Sequence, residues 1–108
     1  MIRIAFKYNE AKEPIGIRCE GHAGFAKFGK DIVCAAVSAL VINTINSVEE
    51  FTEDEFTGES NEKKGYILFV LADSCSSEAK LLMRSLELGI RDIYKDNSRF
   101  ISLIDWEV

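Results

Sequence analysis

Ile2-Arg3-Ile4-Ala5-Phe6-Lys7-Tyr8-Asn9-Glu10-Ala11-Lys12-Glu13-Pro14-Ile15-Gly16-Ile17-Arg18-Cys19-Glu20 holds two runs of period two around a single turn signal. Ile2, Ile4, Phe6 and Tyr8 alternate with Arg3, Ala5 and Lys7. Ile15, Ile17 and Cys19 alternate with Gly16, Arg18 and Glu20. That spacing belongs to strands with one buried face. The connection from Asn9 to Pro14 is so short that the two strands must form an antiparallel hairpin, with Cys19 on the core side.

Working outward, Gly21 to Lys30 has no consistent period and three glycines, so it reads as a loop that can move. Asp31 is a good helix N-cap. Val33, Val37, Leu40, Val41, Thr44 and Val48 recur at spacings of three and four, which predicts a buried helix from about Ile32 to about Glu50. Ala35, Ala36 and Ala39 are small enough for that helix to close against a sheet. A short strand is expected around Phe56, joined through Asn61-Glu62-Lys63-Lys64-Gly65 to the run Tyr66 to Leu71. From about Ser76, the residues Ala79, Leu82, Met83, Leu86, Ile90 and Ile93 form a helical stripe, and Phe100, Ile104, Trp106 and Val108 alternate as a last strand. The order β-β-α-β-β-α-β describes an α+β fold, a mainly antiparallel sheet packed with two helices, in a single domain over 1–108. The run Tyr66 to Leu71 is apolar on both faces, so its second face needs a cover, and a homodimer would supply one.

The chain has 108 residues, 47% of them hydrophobic, enough for one core and too few for two. Thirteen basic against eighteen acidic residues give a net charge of −5, which argues against direct nucleic-acid binding and favours a basic protein or peptide as partner. The N-terminus lacks the continuous apolar stretch of a signal peptide, and the apolar run Ile32 to Ile42 is about half the roughly 20 residues of a membrane helix. Neither export nor a membrane is expected. Three cysteines, an odd number, leave at least one free thiol and fit a reducing cytoplasm.

Cys34 falls early in the first predicted helix, where unpaired N–H groups and the positive end of the dipole favour an anion and can bind an oxyanion. His22, the one histidine, lies 12 residues earlier on the loop leading into that helix. Spacing alone permits a Cys-His pair without requiring it, because a free Cys commonly serves as a small buried hydrophobe. Cys75, among serines before the second helix, is a rival nucleophile with no base placed beside it. Cys19, His22, Cys34 and Cys75 together supply four zinc-type ligands, but only Cys19-x-x-His22 has the close spacing of a half-site, so no metal or other cofactor is expected.

The string Gly21-His22-Ala23-Gly24-Phe25-Ala26-Lys27-Phe28-Gly29-Lys30-Asp31-Ile32-Val33-Cys34-Ala35-Ala36-Val37-Ser38 closely resembles the signature of the ribosomal-processing cysteine proteases. These enzymes remove an N-terminal extension from a bacterial large-subunit ribosomal protein during ribosome assembly. The resemblance implies a catalytic dyad of His22 and Cys34, with Asp31 and Ser38 in support. It also implies a ribosomal protein precursor as substrate, with aromatic and aliphatic side chains just before the scissile bond. Gly21, Gly24, Phe25, Phe28 and Gly29 then become the loop that covers the substrate. Asp31 retains a simpler reading as an N-cap, and Ser38 one as a hydroxyl bonded to its own helix. The alternative from another class is a non-catalytic ribosome-associated module that holds a basic protein. The acidic run Glu49, Glu50, Glu53, Asp54 and Glu55 reads first as a solvated helix end, yet its charge opposes the helix dipole, which leaves room for steering a basic substrate.

Overall fold

The computed structural model describes residues 1–21, 30–61 and 65–106, and for Lys30 and Asp31 the backbone alone. β1 (Ile2–Tyr8) and β2 (Pro14–Glu20) form the expected antiparallel hairpin, with Ile4 opposite Cys19 and Phe6 opposite Ile17. Asn9 closes the turn: its N–H donates to the Glu13 carbonyl at 3.0 Å, and its side-chain oxygen accepts from the Glu13 N–H at 2.9 Å.

Three further strands complete one sheet. β3 (Phe56–Asn61) pairs with β4 (Tyr66–Leu71), β4 pairs with β2, and β5 (Ile101–Ile104) lies parallel to β1, giving the order β3-β4-β2-β1-β5. All pairings but that of β5 are antiparallel. The α+β architecture read from the sequence is the observed one.

α1 (Lys30–Phe51) and α2 (Ser77–Asp96) share one core with one face of this sheet. Ile4, Ile17 and Phe69 from the strands, Val37, Val41 and Val48 from α1, and Met83, Leu86 and Ile90 from α2 are each no more than 2% exposed. Each large side chain so buried contributes about 1.5–3 kcal/mol relative to exposure. α2 is anchored at its start by Ser76, whose hydroxyl accepts from the Ala79 N–H at 3.1 Å. Ser76 in turn donates its N–H to Asp54 at 2.8 Å and its hydroxyl to the other oxygen of the same carboxylate. These two donations hold the Asp54 carboxyl below its ordinary range.

Three expectations need correction. The first helix begins at Lys30, so Asp31 is its second residue and not its N-cap. That helix is also buried on one side only. Val33, Val37, Val41 and Val48 enter the core, whereas Ile32 is 66% and Ile42 49% exposed, and Ala35 and Ala39 face solvent beside them. Ile32–Phe51 is by length and composition alone sufficient to cross a membrane. Withdrawing it, however, would uncover the sheet residues it packs on. The last strand has the opposite phase to the one expected: Ile101 is 1% exposed and Ile104 37%. β1 dictates this, because Ile2 and Ile4 face the core and pair with Ile101 and Leu103.

On the outer face of β4, Tyr66, Leu68 and Val70 are half-buried within the single chain. Arg18, opposite Leu68, stacks over the Trp106 ring at 5.2 Å.

Candidate active site

The site is framed by the point where β2 leaves the sheet. Gly21 has φ +84°, and its N–H donates to the Gly65 carbonyl at 2.8 Å. A Cβ at this position would stand 2.8 Å from the Met1 carbonyl oxygen, so a larger residue is excluded both by conformation and by space. The chain therefore leaves the sheet from a fixed position one residue before His22.

α1 returns to the same end of the sheet. Its 22 residues span about 33 Å. Its last residue, Phe51, is joined by four residues to Phe56, which pairs with Leu71 at the far end of β4, whereas Tyr66 at the near end pairs with Glu20. The helix thus runs from the Gly21 end of the sheet to the opposite one. Cys34 is its fifth residue, 6% exposed, and it heads the buried line Val37, Val41, Thr44 and Val48. Its amide falls just beyond the first turn, whose N–H groups have no acceptor within the helix and face the Gly21 end.

Ser38 lies one turn beyond Cys34 and is half-buried. Asp31 is the second residue of α1, within its first turn. His22, Gly24, Phe25, Phe28 and Gly29 lie outside the described residues.

The other two thiols are poor nucleophiles. Cys19, 1% exposed in the middle of the sheet, has its pKa pushed up to about 12 by burial. Cys75, 7% exposed, is likewise raised, mainly by burial, with the Asp54 and Glu13 carboxylates adding to the shift against Lys80. Cys75 precedes the α2 cap that binds Asp54, so it sits at the end of the fold away from Cys34. Cys34 and Cys75 are therefore not brought together as metal ligands, and His22 lies outside the described residues. Among the described residues no three His, Cys, Asp or Glu side chains converge as metal ligands.

Residues that the sequence did not single out adjoin the site. Arg3, Glu20, Gly21 and Tyr66 line a depression of about 380 Å³ next to the exit toward His22. Arg3 and Glu20 are ion-paired across it at 3.1 Å. Glu20 adjoins the motif, but Arg3 and Tyr66 come from separate strands, and only the strand register reveals their proximity. A larger cavity of about 710 Å³, between Tyr8, Arg91 and Trp106, lies toward the other end of β1, away from Cys34. Its size does not make it the catalytic site.

The family model described as cysteine protease Prp matches residues 1–102. The ribosomal processing cysteine protease Prp of Bacillus subtilis is 32% identical over 106 residues, covering 92% of this chain and 95% of that protein. Its counterpart from Staphylococcus aureus strain Mu50 is 24% identical over 102 residues, covering 92% and 96%. Among solved structures, the S. aureus protease Prp in complex with a substrate peptide matches with a TM-score of 0.90 at 22% identity, over 98% of this chain and 100% of that one. SMU.848 from Streptococcus mutans matches with a TM-score of 0.85 at 26% identity, over 97% and 93%.

Proposed function

The chain belongs to the cysteine protease Prp family, and on that premise we propose that it removes the N-terminal extension of a bacterial large-subunit ribosomal protein during ribosome assembly. The observation that carries this reading is the position of Cys34, near the start of a helix whose first turn faces the exit of β2 at Gly21. The other two thiols are held in their protonated form.

In this reading the Cys34 sulfur, as thiolate, attacks the scissile carbonyl carbon. The developing oxyanion accepts hydrogen bonds from the first-turn amides of α1. The carbon–nitrogen bond then breaks, and His22 as imidazolium gives its proton to the departing amine. His22 next takes a proton from water, the hydroxide attacks the thioester, and the extension leaves as a carboxylate while the thiolate is regenerated. Asp31 and Ser38 support this pair from the same helix. Gly21, Gly24, Phe25, Phe28 and Gly29 form the loop against which the substrate's apolar side chains pack. Cys34 is 6% exposed, and in this reading the loop is ordered around the peptide when substrate binds.

No cofactor takes part. The protein works in the cytoplasm as a homodimer, without binding nucleic acid or membrane. A non-catalytic binding module, the other reading the sequence admits, is set aside because the family is one of cysteine proteases. Incubation of the purified protein with the ribosomal protein precursor, followed by mass spectrometry, tests the function. Two products that sum to the precursor plus one water are expected, and an intact precursor contradicts the proposal. Sedimentation at micromolar concentration should give twice the chain mass; a monomer would refute the dimer.

A further inference from the structure

We infer that the exposed side of α1, with the acidic turn that ends it, is a docking surface for the cationic body of the protein substrate, distinct from the region around Cys34 where the peptide is cut. This rests on the function proposed above and adds a second point of contact to it.

The surface has an apolar part and a charged part. Ile32, Ala35, Ala39 and Ile42 recur at spacings of three and four and are all exposed, so they lie in one line on the side of α1 away from the sheet. The same line continues through Asn46 to Glu49 and Glu50. Phe51, 75% exposed, closes it as a bare aromatic ring at the helix end. Two shallow depressions meet at Phe51. One is lined by Asn43, Asn46, Glu49 and Glu50, the other by Glu53, Asp54 and Glu78. A soluble helix with this much exposed apolar surface carries a face without its partner.

The charge distribution identifies that partner. From Asp31 to Asn61 the chain has no Lys or Arg, while Asp31, Glu49, Glu50, Glu53, Asp54, Glu55 and Glu59 are acidic. Asp54 is committed to Ser76. Among the described residues, no salt bridge involves Glu49, Glu50, Glu53, Glu55 or Glu59. Nucleic acid and anionic lipid surfaces are repelled by such a field. A second copy docking through the acidic end would set like charges against each other. A protein with basic side chains around apolar ones fits both parts, and a ribosomal protein, built to neutralise RNA phosphates, has that chemistry.

The geometry makes the surface selective for length. Phe51 lies 17 residues beyond Cys34 on one helix, about 25 Å away. An extended peptide needs about eight residues to cover that distance. Short peptides around the scissile bond therefore cannot reach the acidic end of the patch, while the folded body of the substrate can.

The test compares the full-length ribosomal protein precursor with a short synthetic peptide spanning its cleavage site. The enzymes are the wild type, the combined variant Glu49→Lys/Glu50→Lys/Glu53→Lys, the matching Glu→Gln variant, and Phe51→Ser. The Lys variant should cleave the precursor with kcat/KM lowered about tenfold or more through KM, and should lose its sensitivity to salt. Its turnover of the short peptide should equal that of the wild type. The Gln and Ser variants should show smaller losses in the same direction. Equal cleavage of the precursor by the wild type and all three variants overturns the inference, as does loss of both substrates in the same proportion by the Gln variant. Conversion of a wild-type dimer to a monomer by these substitutions also overturns it, because the face would then bind a second copy. A wild-type protein that cuts neither substrate would refute the proposed function instead.

Discussion

α1 and α2 are of similar length and pack side by side on the same sheet face, yet only α2 obeys the ordinary rules for a structural helix. α2 has a serine cap, Glu78 in its first turn and Lys95 in its last, and a buried stripe of Ala79, Met83, Leu86 and Ile90. α1 exposes Ile32 and Ile42, ends in Glu49 and Glu50 with no base in its last turn, and places a thiol near its start. Each acidic residue in a last turn costs about 0.3–1 kcal/mol against the dipole. Stability explains α2 and leaves α1 unexplained. The difference fits the proposals made above, with chemistry at the N-terminal end of α1 and recognition along its exposed side.

The largest separation between the two helices should come from exchanging one side chain in each. Cys34→Ala should reduce precursor cleavage to background, at least about 10³-fold, with the urea midpoint nearly unchanged. Leu86→Ala should do the reverse, lowering stability by about 2–5 kcal/mol while the folded fraction cleaves at the wild-type rate. Near-normal cleavage by Cys34→Ala, or a specific loss of turnover by Leu86→Ala, would dissolve the division between them.

A smaller effect is expected at the α2 cap. Ser76→Ala should cost about 0.5–2 kcal/mol at neutral pH. Asp54 is held below its ordinary value of 3.8, so its contribution is present above that value and disappears as the pH falls through the lowered folded pKa. The stability gap between wild type and Ser76→Ala should therefore narrow in acid. A gap independent of pH would show that Asp54 does not take part. The smallest effect is at the other helix end, where Glu49→Lys and Glu50→Lys should each raise stability by about 0.3–1 kcal/mol, read as a shift in urea midpoint at constant slope. A loss of stability would mean that these carboxylates hold the fold.

The sequence makes the fold legible wherever one periodicity is available. Ile2 to Tyr8 and Ile15 to Cys19 read as strands and Ser76 to Ile93 as an amphipathic helix, as observed, although Ala5 and Gly16, in the outward phase, are buried as well and Tyr8 is exposed. It fails where two phases fit equally well. Phe100, Ile101, Leu103 and Ile104 can alternate either way, and pairing with β1 decides. α1 misled for a related reason: apolar residues surround it, so the pattern does not say which of them meet the sheet. The family was legible through the Gly21 to Ser38 string, whereas Arg3 and Tyr66, which border the exit of β2, become neighbours only through strand pairing.

The most direct test of the assignment of Cys34 is to quench a reaction with precursor in acid within one turnover and map the adduct by mass spectrometry. A thioester carrying the N-terminal extension on Cys34, absent in Cys34→Ala, is predicted. The same adduct on Cys75, or cleavage that persists in Cys34→Ala, would contradict it.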